Sequence, residues 1–178
     1  MQEVLFQTPR FNSDSVITHI NCIAAAIRQN AGKVIFIQHN GTDEEGLAKH
    51  SEGWAILSAL EVLPTDTILE KSICDAFFQT ELFALLKALH HERVIVTGCA
   101  TDFCVDTTIR SAVSHDLNVV VVSDGHTTAD RPHLDAHSII AHHNWMWANL
   151  ITPKTPVKLV NAADLLVELT GTIIKYHG

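Results

Sequence analysis

The chain has 178 residues, of which 47% are hydrophobic and 18% charged, and its formal net charge is −8. This composition is typical of a globular protein, and the length fits a single domain, which we predict over residues 1–178. The negative charge argues against a nucleic-acid partner, because such proteins carry a basic surface. No apolar run approaches the roughly 20 residues of a membrane-spanning helix. The four dispersed cysteines favour a reducing, cytoplasmic compartment.

The predicted elements alternate between helix and strand along the chain. Apolar residues at helical spacing predict a helix that begins after Asp14 or Ser15 and further helices over 82–89, 105–113, 133–150 and 162–169. Short runs of β-branched residues predict strands over 33–38, 67–70, 93–98, 118–124 and 157–160. Continuous apolar strands between helices indicate a parallel sheet covered on both faces. The predicted fold class is therefore α/β, a three-layer α/β/α sandwich with a mostly parallel, Rossmann-like sheet.

Polar and reactive residues gather where the predicted strands end. The stretches "QHNG", "KSICDAFF", "TGCATDFC" and "SDGHTTAD" each follow a strand. Folds of this class place their sites at the carboxyl ends of the strands, where helices begin. We therefore expect the functional site at this edge of the sheet.

The stretch "TGCATDFC" offers two cysteines, of which Cys104 is the better nucleophile candidate. Thr101 is a good N-cap, Asp102 complements the positive end of the helix, and Cys104 falls in the first turn. Backbone N–H groups at a helix start favour a thiolate and supply donors for an oxyanion. Cys99 lies in the strand-to-turn joint instead. The alternative is that Cys104 is a small buried hydrophobic residue; zinc is disfavoured, because the two cysteines lack ligand spacing.

The stretch "GCATDFCVDTT" resembles the nucleophile motif of the isochorismatase-like cysteine hydrolases, a family that includes nicotinamidases and N-carbamoylsarcosine amidases. The pattern G-x-x-T-x-x-C-V-x-x-T is met by Gly98, Thr101, Cys104, Val105 and Thr108. The stretches "HTT" and "AHHNWMW" resemble a subgroup that includes streptothricin-type hydrolases.

The resemblance extends over nearly the whole chain. Lys71, Ala76, Phe77, Thr80 and Leu82 resemble the segment of the family that carries its catalytic lysine. "VVVVSDGHTTAD" resembles the next strand of the family, and "MQEVLFQ" resembles the segment directly after the family's first strand.

The resemblance implies acyl chemistry. Cys104 would attack a carbonyl carbon as a thiolate and form a thioester, which water then hydrolyses. Lys71 would lie near the sulfur, where its charge favours the thiolate. A cis peptide before Ala100 would let the N–H groups of Ala100 and Cys104 form the oxyanion hole. The predicted function is hydrolysis of a C–N bond, in an amide or lactam of a small molecule; the alternatives are an isochorismatase-type ether hydrolase and a non-catalytic binding relative.

The third catalytic residue of the family is an aspartate that ends its first strand, in a pattern such as apolar-apolar-Asp-x-Gln, and it would fall immediately before Met1. That strand is central in the family sheet, and its loss would leave unpaired edges in the core. Three explanations stay open: residues upstream of Met1 supply the strand, the C-terminal "TGTIIKYHG" replaces it, or the protein is a non-catalytic relative. Asp102 is a poor substitute, because a carboxylate at a helix start usually faces backbone donors.

The remaining predictions concern the pocket, metals and partners. His39 falls where nicotinamidases carry a metal-binding aspartate, and one histidine, even with His50, makes a weak site. We predict no metal and no cofactor. The partners expected are a small-molecule substrate and further copies of the chain in a dimer or tetramer. The candidate pocket residues are His39, Trp54, Phe77, Phe103 and His126.

Overall fold

The computed structural model describes residues 1–89 and 93–171. Five helices and five strands follow one another in these residues. The helices are α1 (Ser13–Gln29), α2 (Leu82–Leu89), α3 (Asp106–Ser114), α4 (Ala136–Ala148) and α5 (Ala162–Thr170). The strands are β1 (Ile35–His39), β2 (Thr67–Lys71), β3 (Val94–Cys99), β4 (Val119–Thr127) and β5 (Lys158–Val160). A short 3-10 turn (Glu3–Phe6) precedes α1, and a π-helical turn (Thr101–Val105) precedes α3.

The strands form two parallel sheets. β1 pairs with β2 from Ile35 opposite Thr67 to His39 opposite Lys71. The second sheet has the order β3-β4-β5. All these pairs are parallel, and helices connect β3 to β4 and β4 to β5, whereas turns and loops connect β1 to β2. With helices on both faces of β4, the predicted α/β/α sandwich is confirmed.

Valines of β4 form the centre of the core, because helices cover both faces of the strand. Val119 and Val121 pack against α3 and α4, where Ile109 and Trp147 are completely buried. Val122 points to the opposite face and packs against α1 and α5. This alternation explains why the run "NVVVV" is apolar on both faces, as expected of a parallel strand between two helical layers.

A cleft separates the two sheets. It lies between β1 and β3, neither of which pairs with another described strand on the side that faces it, and it holds a cavity of about 520 Å³. Ile35 and Ile37 line one wall, and Val94 and Val96 line the other. We call this space the β1–β3 cleft. The C-terminal segment 172–178, which we considered as a replacement strand, lies outside the described residues.

Two predicted element boundaries near the site were wrong. β4 was expected to end at residue 124, but it continues to Thr127 because Gly98 and Cys99 of β3 pair with His126 and Thr127 beyond an irregularity. The helix expected from Thr101 begins as a π turn, in which the Ala100 carbonyl accepts from the N–H of Val105, five residues on. None of the described helices has the length and apolarity that crossing a membrane requires.

Candidate functional site

Lys71 and Cys104 meet at the carboxyl ends of the strands. Lys71 is the last residue of β2, and its side chain is buried. Its Nζ lies 3.2 Å from Sγ of Cys104 and donates to the carbonyl oxygens of Ile73 at 2.7 Å and Cys74 at 3.1 Å. An ammonium has three N–H donors, so two carbonyls hold the group in place and the third donor is directed at the sulfur. A thiolate accepts such a hydrogen bond and gains from the adjacent positive charge.

The sulfur atoms of the other three cysteines receive no hydrogen bond from Lys71. Burial raises the pKa of Cys99, and burial together with the neighbouring Cys104 raises the pKa of Cys74, so both favour the neutral thiol. Cys22 is exposed on α1, away from this edge. The structure therefore distinguishes Cys104 from Cys99 by the contact with Lys71.

The backbone between β3 and α3 has an unusual conformation next to Cys104. The Cys99–Ala100 peptide bond is cis, as the resemblance implied. Gly98 has φ +130°, a conformation that side chains rarely adopt, which accounts for the glycine in the motif. The carbonyl of Ala100 accepts from the N–H groups of Phe103 and Val105. Among the described residues, the N–H of Ala100 has no hydrogen-bond partner and is available as a donor.

Thr101 does not cap the helix, contrary to the sequence prediction, and Asp102 beside it bonds to two distant side chains. Both oxygens of Asp102 accept hydrogen bonds from Arg131, at 2.8 and 2.9 Å, and Oδ1 also accepts from the hydroxyl of Thr128 at 2.6 Å. Burial opposes ionisation, but these bonds hold the pKa of Asp102 below its ordinary value. The carboxylate is thus fully engaged in anchoring the π turn, and its engagement argues against a role as the missing acid.

His126 packs against the π turn that contains Cys104 and does not line the cavity. The side chain is 1% exposed, and its two ring nitrogens are engaged by Thr101 and Asn144. Burial lowers its pKa to about 4, so the imidazole is neutral near pH 7. We expected His126 in the substrate pocket because it follows a strand; the extension of β4 turns it inward.

His39 faces the site from the end of β1. The side-chain amide of Gln2 accepts from the His39 N–H at 2.8 Å and donates to the His39 carbonyl at 2.9 Å. Within the described part of the chain, Nδ1 of His39 is buried without a hydrogen-bond partner. Burial and the charge of Lys71 both lower the pKa of this histidine. His39 therefore offers a neutral imidazole to the cavity that Lys71 and Cys104 also line.

The three aromatic pocket candidates lie in different environments. Phe77 is buried and lines the cavity. Phe103 is 52% exposed, and the guanidinium of Arg131 lies 5.0 Å from its ring centre. Trp54 donates from its indole to Asn40 and lies outside the cavity, with its ring edge against His50. His50 therefore contacts Trp54, and the described residues hold no group of three or more side chains arranged for a metal.

Sequence reasoning missed four residues that organise the site. Gln2 holds both His39 and the carbonyl of Trp54, and the glutamine of the pattern Asp-x-Gln would have indicated it. The other three residues contact partners that are distant in sequence. Arg131 and Thr128 donate to Asp102 in the π turn, and Asn144 bonds to His126. No spacing in the sequence indicates which of the many polar residues make such contacts.

The fold and the site define an α/β protein with a cysteine–lysine pair at the carboxyl ends of parallel strands. An isochorismatase domain model matches residues 1–152. The chain belongs to the isochorismatase family.

Comparisons with individual proteins agree with this assignment. The chain is 30% identical over 117 residues to a streptothricin hydrolase of Streptomyces noursei, a match that covers 66% of this chain and 42% of that protein. It is 32% identical over 88 residues to the ureidoacrylate amidohydrolase RutB of Methylorubrum extorquens, covering 49% of this chain and 36% of the relative. The chain thus spans less than half the length of these two relatives.

Solved structures show the same fold. A crystal structure of an isochorismatase family protein superposes with a TM-score of 0.79 at 30% identity and covers 87% of this chain and 89% of that one. A cysteine hydrolase from Pseudomonas syringae pv. phaseolicola superposes with a TM-score of 0.85 at 20% identity and covers 96% of this chain and 89% of that one. At the lower identity, the second likeness concerns the fold alone.

Proposed function

We propose that this chain is a cysteine hydrolase that cleaves a C–N bond, in an amide or a lactam, of a small molecule. The observation that carries the proposal is the 3.2 Å contact between Nζ of Lys71 and Sγ of Cys104. A buried ammonium directed at a sulfur is the arrangement that activates a thiol as a nucleophile. The streptothricin hydrolase and the ureidoacrylate amidohydrolase among the relatives support an amide-type substrate.

The proposed reaction has two steps. The Cys104 thiolate attacks the carbonyl carbon, the C–N bond breaks, and the amine leaves with the proton that the thiol gave up, so that a thioester forms. Water then attacks the thioester, releasing the acid and restoring the thiol. The N–H groups of Ala100 and Cys104 would stabilise the oxyanion of each step, and the unpartnered N–H of Ala100 supports this role.

The proton needs a carrier between the sulfur and the leaving amine. We propose that a further strand occupies the β1–β3 cleft and brings a carboxylate to Lys71 and Cys104. Two strand edges that face an apolar cavity support this proposal, because an extended segment would satisfy the backbone groups of both. Met1 lines the same cavity as Lys71 and Cys104, which agrees with the aspartate that the family pattern places immediately before Met1.

Because the further strand would fill the cleft between β1 and β3, the substrate would bind at the carboxyl ends of the strands, where His39 lines the cavity beside Lys71 and Cys104. Phe77 also lines this cavity, whereas Phe103 does not. A flat group of the substrate can stack on an aromatic ring at this edge. A homo-oligomer remains a prediction, which the mass of the protein in solution would test.

Selective alkylation tests the nucleophile. Iodoacetamide near neutral pH is expected to modify Cys104 before the exposed Cys22, and peptide mapping by mass spectrometry reads both sites in one sample. In K71M the labelling of Cys104 should slow by about tenfold or more, because the thiolate loses its ammonium. K87M, on the exposed face of α2, is the matched control. Faster labelling of Cys22 or Cys74 would contradict the assignment.

A panel of small amides, lactams, esters and vinyl ethers tests the reaction. Hydrolysis of amides that C104A abolishes supports the proposal. Activity on a vinyl ether that survives C104A favours the ether hydrolase instead, and an inert protein favours a binding relative. The same panel on a protein extended upstream of Met1, and on one that ends at Gly171, separates the two possible sources of the further strand.

A further inference from the structure

A series of hydrogen-bonded side chains connects the π turn to α4. The hydroxyl of Thr101 lies 2.9 Å from Nδ1 of His126, and Nε2 of His126 lies 3.0 Å from Oδ1 of Asn144. Nδ2 of Asn144 donates to the carbonyl of Ser123 at 2.9 Å. Thr101 and His126 are 0% and 1% exposed, so water does not compete for the bond between them.

The partners determine which ring nitrogen of His126 carries the proton. A carbonyl only accepts, so the amide nitrogen of Asn144 must face Ser123, and its oxygen must face His126. Since that oxygen also only accepts, Nε2 of His126 carries the hydrogen. In a neutral imidazole Nδ1 is then an acceptor, and the hydroxyl of Thr101 donates to it. The direction of all three bonds is thereby fixed, from Thr101 through His126 and Asn144 to the carbonyl of Ser123.

This series of hydrogen bonds holds the segment that joins β3 to Cys104. Thr101 is the first residue of the π turn and directly follows Ala100. His126 is also the register partner of Gly98, so β4 holds this segment through its backbone before Ala100 and through a side chain after it. Trp147 packs edge-on against the imidazole, with ring centres 5.1 Å apart.

We propose that His126, as the Nε2–H tautomer, is a positioning residue that fixes Thr101 and thereby the N–H groups of Ala100 and Cys104 on the reacting carbonyl oxygen. The inference rests on the proposed function, since it assigns a part to these two N–H groups. Oxyanion donors act more strongly on the transition state than on the bound substrate. Loss of the Thr101–His126 bond should therefore lower kcat and leave KM nearly unchanged.

Two substitutions of His126 each retain one of its two side-chain hydrogen bonds. In H126N the side-chain oxygen can occupy the place of Nδ1 and accept from Thr101, whereas in H126Q the amide nitrogen can occupy the place of Nε2 and donate to Asn144. T101V removes the hydroxyl with little change of shape. T18V, which removes a hydroxyl that bonds to the Asp14 carbonyl one turn back on the exposed face of α1, is the matched control.

The assay measures acetylation of Cys104 by p-nitrophenyl acetate beside its alkylation by iodoacetamide. Removal of an oxyanion donor costs about 100-fold or more in rate, and its displacement should cost less, about tenfold. We expect T101V and H126Q to slow acetylation and turnover by about tenfold with alkylation unchanged, while H126N and T18V stay within about twofold of the wild type. Equal rates in T101V and the wild type, or a raised KM with unchanged kcat, would overturn the inference.

A stability measurement tests this inference independently of the proposed function. If Cys104 is alkylated but never acetylated, the hydrolase proposal fails. The unfolding of T101V, H126Q and the double variant in urea still tests the Thr101–His126 bond, because two residues that share a hydrogen bond give non-additive changes. Additive changes would overturn the inference.

Discussion

Acidification is expected to destabilise this protein through His126. Burial lowers the pKa of His126 from 6.5 to about 4, and the hydrogen bond to Asn144 opposes this shift only in part. Between these two values the unfolded chain binds a proton that the folded protein does not take up, so the free energy of unfolding falls as the pH falls. The contribution of His126 to this loss is about 2 kcal/mol at pH 5 and about 3 kcal/mol at pH 4.

Urea unfolding at pH 7 and pH 5 measures this loss. The free energy of unfolding of the wild type should fall by about 2 kcal/mol more than that of H126N, because the asparagine has no proton to bind. Carboxylates with lowered pKa values, such as Asp66 and Asp102, contribute to both proteins and cancel in the comparison. H142N, on an exposed side chain of the same helix as Asn144, controls for the loss of a histidine as such.

Two results would refute the reasoning. One is an equal loss of stability in the wild type and H126N between pH 7 and pH 5. The other is a proton NMR titration in which the ring of His126 protonates near pH 6.5 while the protein stays folded. Either would mean that the imidazole is charged in its buried site or that the site admits water.

Three further predictions concern the core, the Asp102–Arg131 ion pair at the π turn, and the contact between Lys71 and Cys104. I109A should lower the free energy of unfolding by about 2–5 kcal/mol, because this completely buried side chain would leave a cavity; a loss below about 1 kcal/mol in urea would contradict the packing. D102N should cost about 1–3 kcal/mol, and its effect should be non-additive with that of R131Q, because the two side chains share an ion pair; additive losses would show that they act separately. K71M should reduce turnover of any amide substrate together with the rate at which Cys104 is alkylated, and a variant that retains both rates would exclude Lys71 from the chemistry.

Cys104 could be singled out as the nucleophile candidate from the sequence and its motif, but the structure changes the reason for choosing it. The sequence indicated a helix start with Thr101 as its cap and Asp102 beside it. In the structure both side chains turn away from the backbone donors, one to His126 and the other to Arg131 and Thr128. Side chains with several partners within reach choose among them by tertiary contacts, which local spacing does not encode.

The alternation of apolar strands and helices by itself determined the α/β class, the parallel pairing and the edge at which the site lies. These properties follow from burial of continuous valine and isoleucine runs between helical layers, and burial is encoded locally. The family resemblance already implied that Lys71 lies near Cys104, but only the tertiary structure decided that two backbone carbonyls hold its buried ammonium there. The tertiary structure also decided that β4 extends to His126 and that an apolar cleft separates β1 from β3. These features depend on which residues meet across distant parts of the chain, where hydrogen bonding and desolvation select one partner among many.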